Sequence, residues 1–517
     1  MPEDTNRTTG RDVQRMNIHA AKLVAEAVRT TLGPKGMDKM LVVHDQVTVT
    51  NDGVTILEDM QIVHPCAKMI VDIAKTQEAE VGDGTTTAVV LAGELLKNAE
   101  ELLEQGIHPT VIAKGYRLAG AAAQRFITSI AKPVTIEDTK VLQQIARTAM
   151  TGKGVEEARE HFADIVVNAA TSIATPMEAG TLIQLSNVER TSITTVTRTG
   201  GQLEETALVD GIVLEKERLA GSMPSTVENA TIALVNTPIQ VQNTEVDAKI
   251  SITDPAQLQK FLDMEESMLK KMVEQIKATG ASVVLNQKGI DDVAAHFFAQ
   301  HNILALRRIK QADMQRIASA TSGTIVTSLD NLTPTDLGNA TCVEEQRIGE
   351  EHTTVIRGCN AATVLVRGST THVTTEAKRA FEDAIGDVAT ALKTGKIIAG
   401  AGAAEIEIAH HIEQFAMQLT GREQLAARAF AKSLEVIPRT LAENAGIDPV
   451  DAVTQLKAAH KNNKWAGINV FTGKTMDAWK EGVVEPLQVK VQALSSAVEV
   501  AMMILRIDDV IATQSNA

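Results

Sequence analysis

The chain has 517 residues, several times the ~100–150 of one domain, so more than one domain is expected. Its net charge of −15 comes with no Lys/Arg run of the nucleic-acid type, and Trp465, Trp479 and Tyr116 are its only Trp and Tyr residues. Both facts argue against a nucleic-acid partner, which calls for cationic grooves and rings on which bases stack.

In chain order, the start MPEDTNRTTG is polar and lacks the apolar core of a signal peptide. From Met16 the apolar Ala20, Leu23, Val24, Ala27 and Val28 keep helical spacing until Gly33-Pro34 stops the pattern. Residues 41–43 and 47–49 read as two short strands around His44, Asp45 and Gln46. A helix is expected from Pro65, a residue suited to the first helical position, towards Val81. Another follows Gly82-Asp83-Gly84 and carries Val89, Leu95, Leu96, Leu102 and Leu103. Between about Leu182 and Val366, short β-branched runs at 230–235, 282–285, 324–326 and 363–366 alternate with helical patterns, as in an α/β domain. Helical sequence returns from Glu376 to the end. Cys66, Cys342 and Cys359 are too scattered for a disulfide framework or a structural zinc. No stretch approaches the ~20 apolar residues of a membrane span, and the expected setting is cytoplasmic, with no membrane partner.

Several motifs invite chemistry and fail. Gly467 to Thr475 resembles a P-loop but has five residues between its glycines where four are required. Gly400-Ala401-Gly402 begins like a dinucleotide fingerprint, yet Glu405 stands where the third glycine belongs. His410-His411 near Glu407 lacks the HExxH spacing of a metal helix and reads as a solvated polar face.

Gly82-Asp83-Gly84-Thr85-Thr86-Thr87 is a stronger signal. Two glycines allow close backbone approach, and three hydroxyls crowd a helix start whose N–H groups and dipole attract phosphate. Asp83 suits such a site if a divalent cation lies between it and the phosphates. The competing reading is an ordinary helix capped by Asp83 and Thr85. Leu32-Gly33-Pro34-Lys35-Gly36 and Thr50-Asn51-Asp52-Gly53 are two further glycine turns that can converge on the same phosphate–metal site.

With these segments, the sequence resembles the chaperonins, in their group II branch of thermosomes and the eukaryotic cytosolic chaperonin. TLGPKGMDKML (31–41), TNDGVTIL (50–57) and GDGTTTAVVLAGELL (82–96) are similar to that family's nucleotide-site signatures. Similar blocks continue in order with MTGKGVEEAR (150–159), FEDAI (381–385), AGIDPVDAV (445–453), GINVFTG (467–473) and GVVEPLQVK (482–490).

The resemblance implies a multidomain α and α/β fold. A mostly helical equatorial ATPase domain would comprise 1–139 and 396–517, and a small α/β intermediate domain 140–206 and 360–395. An α/β apical substrate-binding domain would span 207–359, with a helical lid protrusion at about 247–270. It further implies that Leu32, Gly33, Gly84, Thr85, Thr86 and Thr87 cradle ATP or ADP phosphates, with Asp83 on Mg²⁺ and K⁺ as a companion ion. Asn469 and Glu485 would face adenine and ribose, Gly400, Ala401 and Gly402 would line the nucleotide, and Lys153 would sense the γ-phosphate. Asp52 and Asp383 would be catalytic, positioning and activating water, with Asp383 joining only when its domain closes. Ala401 departs from the family's run of three glycines. Implied partners are non-native client proteins and identical or sister subunits, eight or nine per ring, without a separate co-chaperonin cap. Clients would meet apical helices at 291–300, with Phe297 and Phe298, and at 311–320. Two other readings stand beside the ATP-driven foldase: a nucleotide-binding structural ring or holdase with little turnover, and an unrelated soluble ATPase or kinase.

Overall fold

The computed structural model describes residues 5–43, 46–173, 193–241, 255–348 and 351–513. They form two compact units, 1–188 with 375–517, and 189–374. This division is coarser than the five segments expected from the sequence.

The first unit is a helical body. Its central helix, Thr85–Glu104, is apolar on nearly every face and is buried among Arg11–Arg29, Pro65–Val81, Glu423–Leu434 and Leu487–Leu505. A core poor in rings is closed by small residues. A side chain at Gly93 would strike Ala25, and one at Gly115 would strike Ala426, so these helices approach almost backbone to backbone. Tyr116 is fully buried, and its hydroxyl donates to the Leu95 carbonyl at 2.8 Å.

The first helix begins at Arg11, before the expected Met16, and its buried face is Val13, Ile18, Ala21, Val24, Ala25 and Val28. Leu23 and Met16 point outward, because the neighbouring helices cover a stripe rotated from the one that hydropathy alone selects. The helix Leu487–Leu505 corrects a second expectation, since it is long and apolar enough to span a membrane. Its Leu487, Leu494, Val498, Ala501, Ile504 and Leu505 are instead spent on the core.

The two expected strands near residue 43 form a hairpin, Lys39–Val43 with Gln46–Thr50. Strands Thr5–Thr9 and Asp509–Thr513 pair antiparallel and tie the ends of the described chain together. Lys396–Ala399 pairs antiparallel with both Lys132–Pro133 and Val484–Pro486.

The second unit is α/β. Its main sheet runs in the order 304–306, 283–286, 226–235, 338–348, 351–357 and 212–214, with 325–326 paired to 226–235. Alternation places Ala233, Val235, Val284 and Ala305 on one face and Ile232, Leu234, Val283, Leu285 and Leu306 on the other. Helices Pro255–Ala278 and Asp292–Gln300 cover the first face, and Gln311–Thr321 covers the second. A smaller sheet sets Ala362–Gly368 between Ile193–Thr199, parallel, and Ala207–Asp210, antiparallel.

One expected client contact is overturned. Phe297 and Phe298 are 7% and 0% exposed, because both serve as core between the sheet and the Pro255–Ala278 helix. The exposed side of Asp292–Gln300 offers Val293 and polar groups. Of the expected protrusion, 247–254 and the side chains of Leu258, Phe261 and Leu262 lie outside the described residues. The helix does start at Pro255, Met264 and Met268 are exposed, and Leu269 and Val273 enter the core.

Candidate functional site

A cavity of about 460 Å³ opens in the first unit, lined by all three glycine turns and by residues 151–153 and 468–471. Short-range chemistry shapes each turn. After the first helix, Gly33 turns the chain at φ 82°, and the Leu32 carbonyl is held by Asn444 Nδ2 at 2.9 Å. The Lys153 loop packs on this turn, where Gly152 lies so close to Pro34 that a Cβ would sit 2.7 Å from its Cα. Asn51 Nδ2 holds the Gly152 carbonyl at 3.2 Å.

Asp52 caps the helix Gly53–Asp59. Its carboxylate accepts from the Thr55 N–H at 3.0 Å, the Thr55 hydroxyl at 2.6 Å and the Val54 N–H at 3.4 Å. Gly53 lies against the threonine cluster, since a Cβ there would be 2.5 Å from Thr86 Oγ1. The turns at 50–53 and 82–87 therefore converge, as expected.

At the third turn, Gly82 and Gly84 have φ of 81° and 78°. The buried Gln77 fixes this loop by donating Nε2 to the Asp83 carbonyl at 2.8 Å. Gly84 occupies the cap position of the Thr85–Glu104 helix, and no side chain caps it. The alternative of a helix capped by Asp83 and Thr85 is thus not what the structure contains. Uncapped N–H groups and three hydroxyls face a cavity, which is what a phosphate chain requires.

Charged groups from distant segments meet here. Lys153 Nζ lies 2.5 Å from Asp383 Oδ2 and 3.9 Å from Asp83 Oδ1. Burial disfavours the ammonium, but Asp383 and Asp83 outweigh it and hold the Lys153 pKa above that of a free lysine. The Asp383 carboxyl is pushed up to about 7 by burial, with Lys153 pulling it down and Asp83 adding to the rise. Asp383 sits on the helix Thr371–Thr394 and already borders the same cavity as Asp83. Beside Gly386 the same helix passes in van der Waals range of Val81 and Gly82, the turn that leads into Asp83.

The remaining expected residues are placed unevenly. Ala401 and Gly402 line the cavity, with Ala401 at φ 55° and Gly402 opening an uncapped helix, Ala403–Ala416. Gly400 is not a lining residue. Its N–H bonds the Val483 carbonyl at 3.0 Å, and its Cα faces the Glu485 carboxylate. Asn469 lines the cavity on a hairpin, Ala466–Asn469 with Lys474–Asp477, which also explains why the P-loop resemblance fails. Its Oδ1 is engaged by the N–H groups of Phe471 and Thr472. Glu485 is paired with Lys490 at 2.8 Å, and Lys490 also holds Glu405 at 2.7 Å. Burial raises the Glu485 pKa, and Lys490 opposes it.

Among the charged residues that sequence reasoning did not place at the site are Lys490 and Asp387, which line the cavity, and Glu405, which pairs with Lys490. Asp387 is 2% exposed, borders the cavity, and has an Oδ1 without a hydrogen-bond partner. Burial, with Asp83 and Glu485 adding to it, raises its pKa well above the usual range. A signal was present, because Asp387 continues the buried spacing of Ala377, Ala380, Ala384 and Ala391 where an apolar residue belongs. Ile437, Leu441, Ile468 and Val489 supply an apolar wall suited to a base. His411 stacks on Phe126 at 3.9 Å, and no cluster of metal-binding side chains is found among the described residues.

Comparison with known proteins agrees over nearly the full length. The family model of the TCP-1/cpn60 chaperonins matches residues 24–515. A thermosome subunit of Methanopyrus kandleri is 55% identical over 99% of this chain and 94% of the relative. Thermosome subunit beta of Archaeoglobus fulgidus is 54% identical, again over 99% of this chain and 94% of its own. Among solved structures, the open-state monomer of a group II chaperonin from Methanococcoides burtonii is similar, with a TM-score of 0.65 and 40% identity. It covers 83% of this chain and 100% of that chain.

Proposed function

The chain belongs to the TCP-1/cpn60 chaperonin family as an archaeal-type group II subunit, and from that premise we propose that its cavity hydrolyses Mg-ATP to drive the folding of client proteins. As an ATP-dependent chaperone subunit of that family, it works in rings. The observation that carries the proposal is Lys153 set between Asp383 and Asp83, beside a helix start with no side-chain cap.

The three glycine turns hold the phosphates through backbone N–H groups and the hydroxyls of Thr85, Thr86 and Thr87. The orphaned Asp387 oxygen and the acidic surroundings of Asp83 fit a cation, with Asp83 as its protein ligand. When bound, Mg²⁺ supplies charge neutralisation to the phosphate oxygens.

Asp383, its pKa raised by burial to about 7, takes a proton from the attacking water. The water oxygen bonds to the γ-phosphorus as its bond to the bridging oxygen breaks, releasing phosphate and ADP. Asp52 orients that water while its helix cap keeps the carboxylate fixed. Lys153 is held by Asp383 in this structure, and an incoming γ-phosphate competes for the ammonium. Binding thereby frees the base and reports that the nucleotide is complete.

The finer organisation follows the family. Equatorial, intermediate and apical domains divide near 140, 207, 360 and 396, and the segment about 247–270 serves as a built-in lid, so no separate cap is needed. Rings contain eight or nine identical or sister subunits in the cytoplasm. Phosphate release by the purified protein, with and without Mg²⁺, tests the activity, and end-on views in negative stain count the subunits. ATP binding with no measurable turnover would favour the holdase instead.

A further inference from the structure

Asp387 has no part in the hydrolysis scheme above, yet its position is costly. It is 2% exposed, and its Oδ1 has no hydrogen-bond partner. A buried carboxylate is normally paired or bound to a cation, because desolvation penalises the bare charge severely.

The backbone explains what Asp387 is near. At Gly386 the helix Thr371–Thr394 meets the loop leading into Asp83, and a Cβ there would lie 3.4 Å from the Val81 carbonyl and 3.5 Å from Gly82 Cα. Thr390 Oγ1 donates to the same Val81 carbonyl at 3.5 Å. The helix is thus clamped to the turn that presents Asp83, with Asp383 and Asp387 one helical turn apart beside the contact. Asp83 is the nearest in effect of the charges acting on Asp387.

Carboxyl groups crowd this end of the cavity. Asp387 feels Asp83, Glu485 and Asp383, and the nearby Lys153 ammonium is already committed to Asp383. A divalent cation would offset the repulsion that disfavours ionising Asp387 beside Asp83. No three such side chains among the described residues converge tightly enough to cage an ion alone. That suits magnesium, which keeps waters and takes one or two carboxylates plus phosphate oxygens.

We propose that Asp387 is a second protein anchor for the divalent cation that accompanies the nucleotide, acting with Asp83. The inference rests on the nucleotide reading of the cavity and adds a residue to it. Asp83 meets the ion from the phosphate loop, and Asp387 meets it from the helix that carries Asp383. The cation then joins the phosphate loop to the helix bearing the base, so its arrival aligns the two.

The test uses the purified full-length protein with ADP, so that no turnover is needed. Mg²⁺ is titrated while bound ADP is measured, and Mn²⁺ is titrated with the bound ion read by electron paramagnetic resonance. Asp387→Asn should raise the half-saturating Mg²⁺ and Mn²⁺ concentrations by about tenfold or more, in the range seen for groups that support metal ligands. ADP binding without metal should be unchanged. Asp387→Val should raise the unfolding temperature of the metal-free protein, because a buried oxygen without a partner is gone, and Mg-ADP should erase that advantage. Unchanged metal half-saturation in both variants, while Asp83→Ala shifts it, would overturn the proposal and leave the nucleotide reading intact. Failure of both variants to fold would overturn it too, since a carboxylate awaiting a cation is dispensable to the metal-free fold. Wild-type protein whose ADP binding ignores metal altogether would sink the nucleotide reading and this inference with it.

Discussion

Asp52 does two jobs that a single pair of substitutions can separate. Its carboxylate accepts three hydrogen bonds from Val54 and Thr55 and also borders the cavity. Replacing an N-cap by alanine costs about 1 kcal/mol, within ~0.5–2. The helix it caps has only 7 residues, so few other hydrogen bonds share the loss, and about 1.5–2 kcal/mol is expected for Asp52→Ala. Asp52→Ser keeps a capping oxygen and should stay within about 0.5 kcal/mol of wild type. Neither variant retains a carboxylate for the attacking water. Positioned acid–base groups contribute ~10²–10⁴ in rate, which is ~2.7–5.5 kcal/mol of barrier. Stability and turnover should therefore part company in the serine variant. Its unfolding midpoint, followed by circular dichroism in denaturant, should match wild type, and phosphate release at saturating Mg-ATP should fall at least about a hundredfold. If Asp52→Ser turns over at the wild-type rate while Asp52→Ala does not, Asp52 is a cap and nothing more.

Asp383→Asn should bind ATP almost normally yet lose about a hundredfold or more in turnover, and a wild-type rate would remove Asp383 from the mechanism. The base is active when deprotonated, so wild-type turnover should fall as pH drops through about 7, and a flat profile from pH 6 to 8 would contradict the assignment. Lys153→Met strands Asp383 in a partly buried site and should destabilise by about 3 kcal/mol at pH 8. That cost should shrink at pH 5, where Asp383, with its raised pKa, is protonated and uncharged; equal losses at both pH values in thermal melts would count against the pair. Gly33→Ala combines a positive φ with a collision against Leu441, which lines the cavity, and should cost about 2–4 kcal/mol while weakening nucleotide binding. Wild-type affinity measured by calorimetry would mean that this turn does not shape the site.

Sequence alone determined the turns and the segments that meet at the cavity. Gly33, Gly82 and Gly84 adopt the positive φ that their motifs demand, and Pro65 and Pro255 open helices where their rings are tolerated. These signals are legible because the interactions behind them span only a few residues. The same is true of Asp52, whose cap is satisfied two and three residues away.

Tertiary structure decided burial and company. Leu23 and Val24 are neighbours of equal hydropathic appeal, and only the packing helices leave one exposed and the other in the core. Phe297 and Phe298 look suited to a client groove until the sheet claims them. Lys490, Glu405 and Glu485 come together from different elements, and Lys153 finds Asp383 across 230 residues of chain. Asp387 lies on an otherwise apolar stripe, and it comes near Asp83 only because its helix packs beside the distant turn at Val81 and Gly82. A side chain's desolvation and charge partners are set by whichever segments pack against it, and no local pattern encodes those segments.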